Sequence, residues 1–166
     1  MTTKLTGIDW MNKLDEANNP AGVAQNAVDI DAAETRLDLL ERDYHTGTAV
    51  HVDFVVGAEG TNTVLVSMQL KDGDDTDLAV RGSVFAYLSD DANGDSIVAT
   101  APSGGWAITV DGVLIPIIAG KFAELISESD GDIAVTITET GTKTCYLVVV
   151  LNNGKIMVSG AIVFAA

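Results

Sequence analysis

The side chains best suited to covalent or acid–base chemistry are two histidines, His45 and His51, and one cysteine, Cys145. Nucleophilic catalysis needs a base within hydrogen-bond reach of a Ser, Cys or Thr. No Gly-x-Ser-x-Gly elbow occurs, and His51 alternates with Val50 and Val52, which turns it outward on a strand with no partner beside it. One Cys and two His cannot supply the clustered pairs that zinc requires. Phosphate-binding glycine loops of either common pattern are also missing. Cys145 stands in the apolar run Cys145 to Leu151 and is expected to act as a small buried hydrophobe.

Carboxylates are abundant instead. Asp91, Asn93 and Asp95 have the alternate spacing on a glycine turn that Ca²⁺ uses, and Asp72 to Asp77 forms a second acidic loop. The glutamate and flanking helices of an EF-hand are absent, and hairpin loops rich in Asp and Asn have the same pattern. No cofactor is therefore expected. Carboxylate pairs of the glycosidase kind would need an aromatic-lined groove, which 5% aromatic content does not suggest.

Whatever these loops do, strands must position them. After Gly47 the sequence becomes a series of short β-branched runs separated by Gly, Asn and Asp, spaced near ten residues apart with no second helical pattern. Runs are expected at Val50 to Phe54, Val64 to Leu70, Gly82 to Leu88, Ser96 to Thr100, Trp106 to Val110, Val113 to Ile118, Phe122 to Ser127, Ile133 to Thr138, Cys145 to Leu151 and Lys155 to Phe164. Asp111-Gly112 and Asn153-Gly154 each lie between two apolar runs and predict tight hairpins. The pattern predicts an antiparallel sandwich or barrel over residues 48–166.

Residues 21–46 have another character. Val23, Ile30, Leu37 and Tyr44 recur every seven residues, and Ala33 and Leu40 follow Ile30 and Leu37 by three, a seam of about three heptads. So narrow a stripe suits pairing with copies of itself, and the alternative is an amphipathic helix on its own β-domain. Residues 1–20 hold an isolated apolar cluster, Leu5, Ile8, Trp10, Met11 and Leu14, in a polar arm that docks on another surface or folds back on its own sandwich.

The formal charge of −15 disfavours nucleic acid and anionic membranes, and neither the first 47 residues nor the rest hides a basic patch. No stretch resembles a secretory signal or is long enough to span a bilayer, so the expected product is soluble and made in a cytoplasm.

The runs Asp77 to Asp90 and Ser103-Gly104-Gly105-Trp106, with the closing hairpin Tyr146 to Lys155, resemble the immunoglobulin-like domains of tailed-bacteriophage virion proteins, in particular head decoration, cement and head-fibre proteins. The resemblance covers about the last 90 residues and implies a mainly β, Ig-like sandwich. It also implies a non-enzymatic virion protein on the capsid surface, often a trimer, bound to the major capsid protein through a terminal segment. The competing expectation is a fibre or adhesin module that recognises a host glycan or protein through loops 72–77 and 90–95. No cysteine pair flanks Trp106, a departure from antibody-type domains.

Overall fold

The computed structural model describes residues 29–37 and 47–165. The chain divides into two units, Met1–Arg42 and Asp43–Ala166. In the first, residues 29–37 are helical and every one of them is exposed. Ile30, Ala33 and Leu37 fall on one helix face by their spacing of three and seven. Thr35 donates its hydroxyl to the carbonyl of Asp31 one turn back, at 2.8 Å, which satisfies the hydroxyl locally.

The second unit is built of strands. In β2 (Thr63–Lys71) the apolar residues occupy alternate positions, and Val64, Val66, Met68 and Leu70 are all buried while their neighbours point outward. β3 (Ser83–Ser89) follows this alternation over most of its length, while β7 (Asp132–Thr138) and β8 (Lys143–Val150) each bury three residues in succession, Ile133 to Val135 and Leu147 to Val149. β1 (His51–Val56), β4 (Gly105–Ile108), β5 (Val113–Ile118), β6 (Phe122–Ile126), β9 (Ile156–Val158) and β10 (Ile162–Phe164) complete the set.

All pairings between these strands are antiparallel. One sheet runs β1-β2-β7-β4, and the other runs β10-β8-β3-β6-β5 with β9 also paired to β8. A single core joins their inner faces, with Val66, Leu70, Ile133 and Ile137 from one and Leu88, Leu125, Leu147 and Phe164 from the other. Taken in chain order, β1, β2, β3, β4, β7, β8 and β10 occupy the positions of the seven immunoglobulin strands, four in one sheet and three in the other. The protein is thus a mainly β, Ig-like antiparallel sandwich. Two elements are added to that plan: β9, and the hairpin β5–β6, which lies at the free side of β3 and widens the three-strand sheet.

Three local expectations fail. Asp111-Gly112 joins β4 to β5, which belong to different sheets, so it is a crossover and not a hairpin. Gly112 adopts φ 98° there, and a Cβ would sit 2.7 Å from the carbonyl oxygen of Ile126. Ser96 to Thr100 is not a strand. Its backbone is held by Val98 N–H on Leu88, Asp90 on Ala99 N–H, and the ammonium groups of Lys121 and Lys143 on the carbonyls of Ala99 and Thr100. Lys155 to Phe164 is broken at Ser159, whose buried hydroxyl accepts from Leu147 N–H and donates to Gly160.

The other hairpin signal holds. Val150 faces Ile156, and the intervening Asn153-Gly154 turn places Gly154 at φ 82°.

Candidate functional site

The two outer faces of the sandwich differ in chemistry. On the wider sheet, registry and alternation bring the outward side chains of five strands into rows. One row runs Ile115–Glu124–Phe85–Val150–Ile156, and beside it lies Ile118–Phe122–Tyr87–Val148–Val158. Ile115, Ile118 and Phe85 are 44–45% exposed, and Ile156 is 51% exposed. Phe85 and Phe122 stack with ring centroids 5.8 Å apart. Glu124 is the only side chain charged at neutral pH among the outward positions of β3, β5, β6, β8 and β9, and it accepts a hydrogen bond from the Ser83 hydroxyl.

Part of this face is roofed. The backbone at Gly94 lies so close to Val148 and Val158 that an added Cβ would come within 3.1 Å of both methyl groups of Val148. Tyr87 clamps that loop by donating its hydroxyl to the Gly94 carbonyl. Burial, aided by Asp95, raises the Tyr87 pKa. The open remainder centres on the β5–β6 hairpin.

β5 is the outermost strand, and an outer strand offers a row of unpaired backbone groups to another chain. Pro116 stands in the middle of it, and the register shifts between Pro116 and Ile118. Proline is tolerated on an outermost strand because the free side needs no donor, and it leaves a gap in the donor row. The edge is blunted while the face stays apolar.

The opposite outer face, on β1, β2 and β7, is charged. His51 approaches Asp53 at 3.3 Å, and Lys71 bridges Asp53 and Asp77. A depression of about 150 Å³ there has polar walls from Asp53, Ser67, Gln69, Asp111 and Asp132 and apolar ones that include the exposed Val55. Burial first, and then the carboxylates of Asp130, Asp111 and Asp77, raise the pKa of Asp132.

The two acidic loops are built from their own carboxylates. Asp72 is 4% exposed and accepts from the N–H groups of Asp74 and Thr76 and from the Thr76 hydroxyl. Asp91 accepts from Asn93 N–H at 2.6 Å, and Asp90 accepts from Ala99 N–H. Asp91, Asn93 and Asp95 thus lie on a turn whose first carboxylate is engaged in shaping it. Among the described residues, no three His, Cys, Asp or Glu side chains converge as a metal would need.

The loops also lie at opposite ends of the sandwich. Loop 72–77 precedes β3 and loop 90–95 follows it, and seven extended residues separate them by about 20 Å.

The candidate nucleophile and base are not poised for catalysis. Cys145 has no exposed surface, and burial pushes its thiol up to about 11, far from the thiolate that nucleophilic attack requires. His51 Nε2 lies 3.3 Å from the Asp53 carboxylate on its own strand, with no nucleophile in that pairing.

Of the stripe expected to oligomerise, Ile30, Ala33 and Leu37 are described and exposed, Ile30 and Leu37 by more than half. Val23, Leu40 and Tyr44 lie outside the described residues, as do His45 and the arm residues Leu5, Ile8, Trp10, Met11 and Leu14. The apolar face was missed in the sequence. Its signal was Val113 to Ile118, an apolar run without alternation, which reads as a strand buried on both sides.

No protein-family model matches the chain. No curated protein matches it. Among solved structures it is similar to a cohesin module from a family 33 glycoside hydrolase of Clostridium perfringens, with 10% identity and a TM-score of 0.37, over 71% of this chain and 98% of that one.

Proposed function

We propose that this chain is a non-enzymatic structural protein that decorates or cements the capsid of a tailed bacteriophage. It works as a symmetric oligomer, docked on the major capsid protein by its N-terminal arm and presenting an acidic sandwich outward. The observation that carries the assembly part is the stripe Ile30, Ala33 and Leu37, which stands exposed along helical residues 29–37. Burial of such a stripe against copies of itself removes apolar surface from water at about 25 cal/mol per Å². The virion part is supported by the resemblance of Asp77 to Asp90 and Tyr146 to Lys155 to phage head proteins and by the Ig-like strand plan. The non-enzymatic part is supported by the buried, protonated thiol of Cys145 and by a histidine whose neighbour is a carboxylate on its own strand.

The test is the mass of the full chain in solution, measured by light scattering at micromolar concentration. The wild type is expected as a defined oligomer, and Ile30→Asp with Leu37→Asp lowers its mass. An unchanged mass in that double variant removes the stripe from the mechanism. Binding to phage heads with and without residues 1–20 tests the docking role, and equal binding by the shortened chain would refute it.

A further inference from the structure

We propose that the open apolar face of the β5–β6 hairpin and its neighbouring strands is a second self-association surface, covered by the same face of another copy in a two-fold pair. The face belongs to a hairpin inserted beyond the seven-strand plan. Val113, Ile115 and Ile118 point out from β5, Phe122 and Ile126 from β6, and Phe85 from β3. Complete covering of the half-exposed residues of this face in both copies would remove on the order of 1,000 Å², about the least that a specific interface buries.

Charge favours a second copy over a basic partner. The chain carries a formal −15, so two copies meeting at random bring carboxylates together. Among the outward strand positions of this face the one carboxylate is Glu124, already hydrogen-bonded to Ser83, so like-charged molecules meet less repulsion here. A basic partner is steered elsewhere, to the face bearing Asp53, Asp111 and Asp132. Pro116 and the irregularity beside it oppose strand addition at the edge, so association takes the form of face packing that closes at two copies. The surface belongs to the strand unit and the stripe to the other unit, so separate substitutions address each.

Four versions of the full chain distinguish the two surfaces: wild type, the helix variant Ile30→Asp/Leu37→Asp, the face variant Phe85→Lys/Ile115→Lys, and their combination. Circular dichroism and a cooperative melt establish that each folds. The helix variant is expected to remain a pair that dissociates on dilution. Adding the face substitutions raises the dissociation constant by about a hundredfold or more, because each buries an unpaired charge. A helix variant with the mass of one chain at micromolar concentration overturns the proposal, whatever the wild type does. A wild type that binds an apolar dye on this face yet has the mass of one chain also overturns it, since the occupant is then a different protein.

A second measurement avoids the charge substitutions. Phe85→Cys, in a chain whose own Cys145 is buried, is expected to form a disulfide-linked pair on oxidation, while Asp53→Cys on the other face does not. Equal cross-linking at the two positions overturns the proposal.

Discussion

Asp72 and Thr76 are bound to each other three times: the Asp72 N–H donates to the Thr76 carbonyl, the Thr76 N–H donates to Asp72 Oδ1, and the Thr76 hydroxyl donates to Asp72 Oδ2. The carboxylate is nearly out of reach of solvent, so water cannot take over these bonds. Asp72→Ala leaves two backbone donors of loop 72–77 unsatisfied and is expected to cost about 2 kcal/mol in urea unfolding. Asp72→Asn keeps one acceptor oxygen and is expected to cost less. Equal stability in Asp72→Ala and wild type would show that the loop does not depend on this side chain.

The β1–β2 turn stores strain. Thr61 and Asn62 adopt φ 52° and 64°, and the Gly60–Thr63 bridge closes a two-residue turn of the mirror-image type. Asn tolerates that region, whereas a β-branched residue is crowded there. Thr61→Asn is expected to raise stability by about 1 kcal/mol. The check is a shift of the denaturation midpoint to higher urea with an unchanged slope.

Alkaline pH should weaken the fold through Cys145. Below pH of about 9 the thiol is protonated in the folded and the unfolded chain alike, and its contribution is constant. Between about 9 and 11 the unfolded chain loses the proton and the folded chain keeps it, so stability falls as pH rises, by at most about 1.4 kcal/mol per unit. The Cys145→Ala variant loses some packing but should show a shallower alkaline decline than wild type. In the native protein at neutral pH, a thiol reagent should modify Cys145 only at the rate of unfolding.

Asp132 carries the same sign in a lower pH window. Its folded pKa is raised, so keeping it ionised opposes folding at neutral pH, and the penalty is relieved as pH falls through that value. Asp132→Asn should be slightly more stable than wild type at pH 7, by no more than about 0.5 kcal/mol given its partial solvation. Added salt should shrink the difference by screening Asp130, Asp111 and Asp77. A variant less stable than wild type at pH 7 would contradict this.

Strand positions were legible because alternation is a local property. Val64 to Leu70 and Ile133 to Thr138 announce one buried face each, and the observed strands β2 and β7 cover them. Asn153-Gly154 was legible because the turn lies within a single hairpin. Asp111-Gly112 has the same local chemistry, but the partner of each flanking strand is fixed by distant residues: β4 pairs with β7, and β5 with β6. Ser96 to Thr100 failed for a related reason, since Lys121 and Lys143 take the carbonyls that a ladder would have used. The wider sheet's uncharged exterior was invisible because outward direction follows from cross-strand registry, and Phe85, Ile115 and Ile156 come from three separate stretches of sequence.

Pro116 has a consequence for how the protein ages. The segment Val113-Leu114-Ile115-Pro116-Ile117-Ile118 is apolar and uncharged throughout, the composition from which dry stacked fibrils nucleate. A single imino acid at its midpoint works as a gatekeeper that breaks this stretch. An apolar face can thus stand exposed without an unbroken β-prone run along its outer strand.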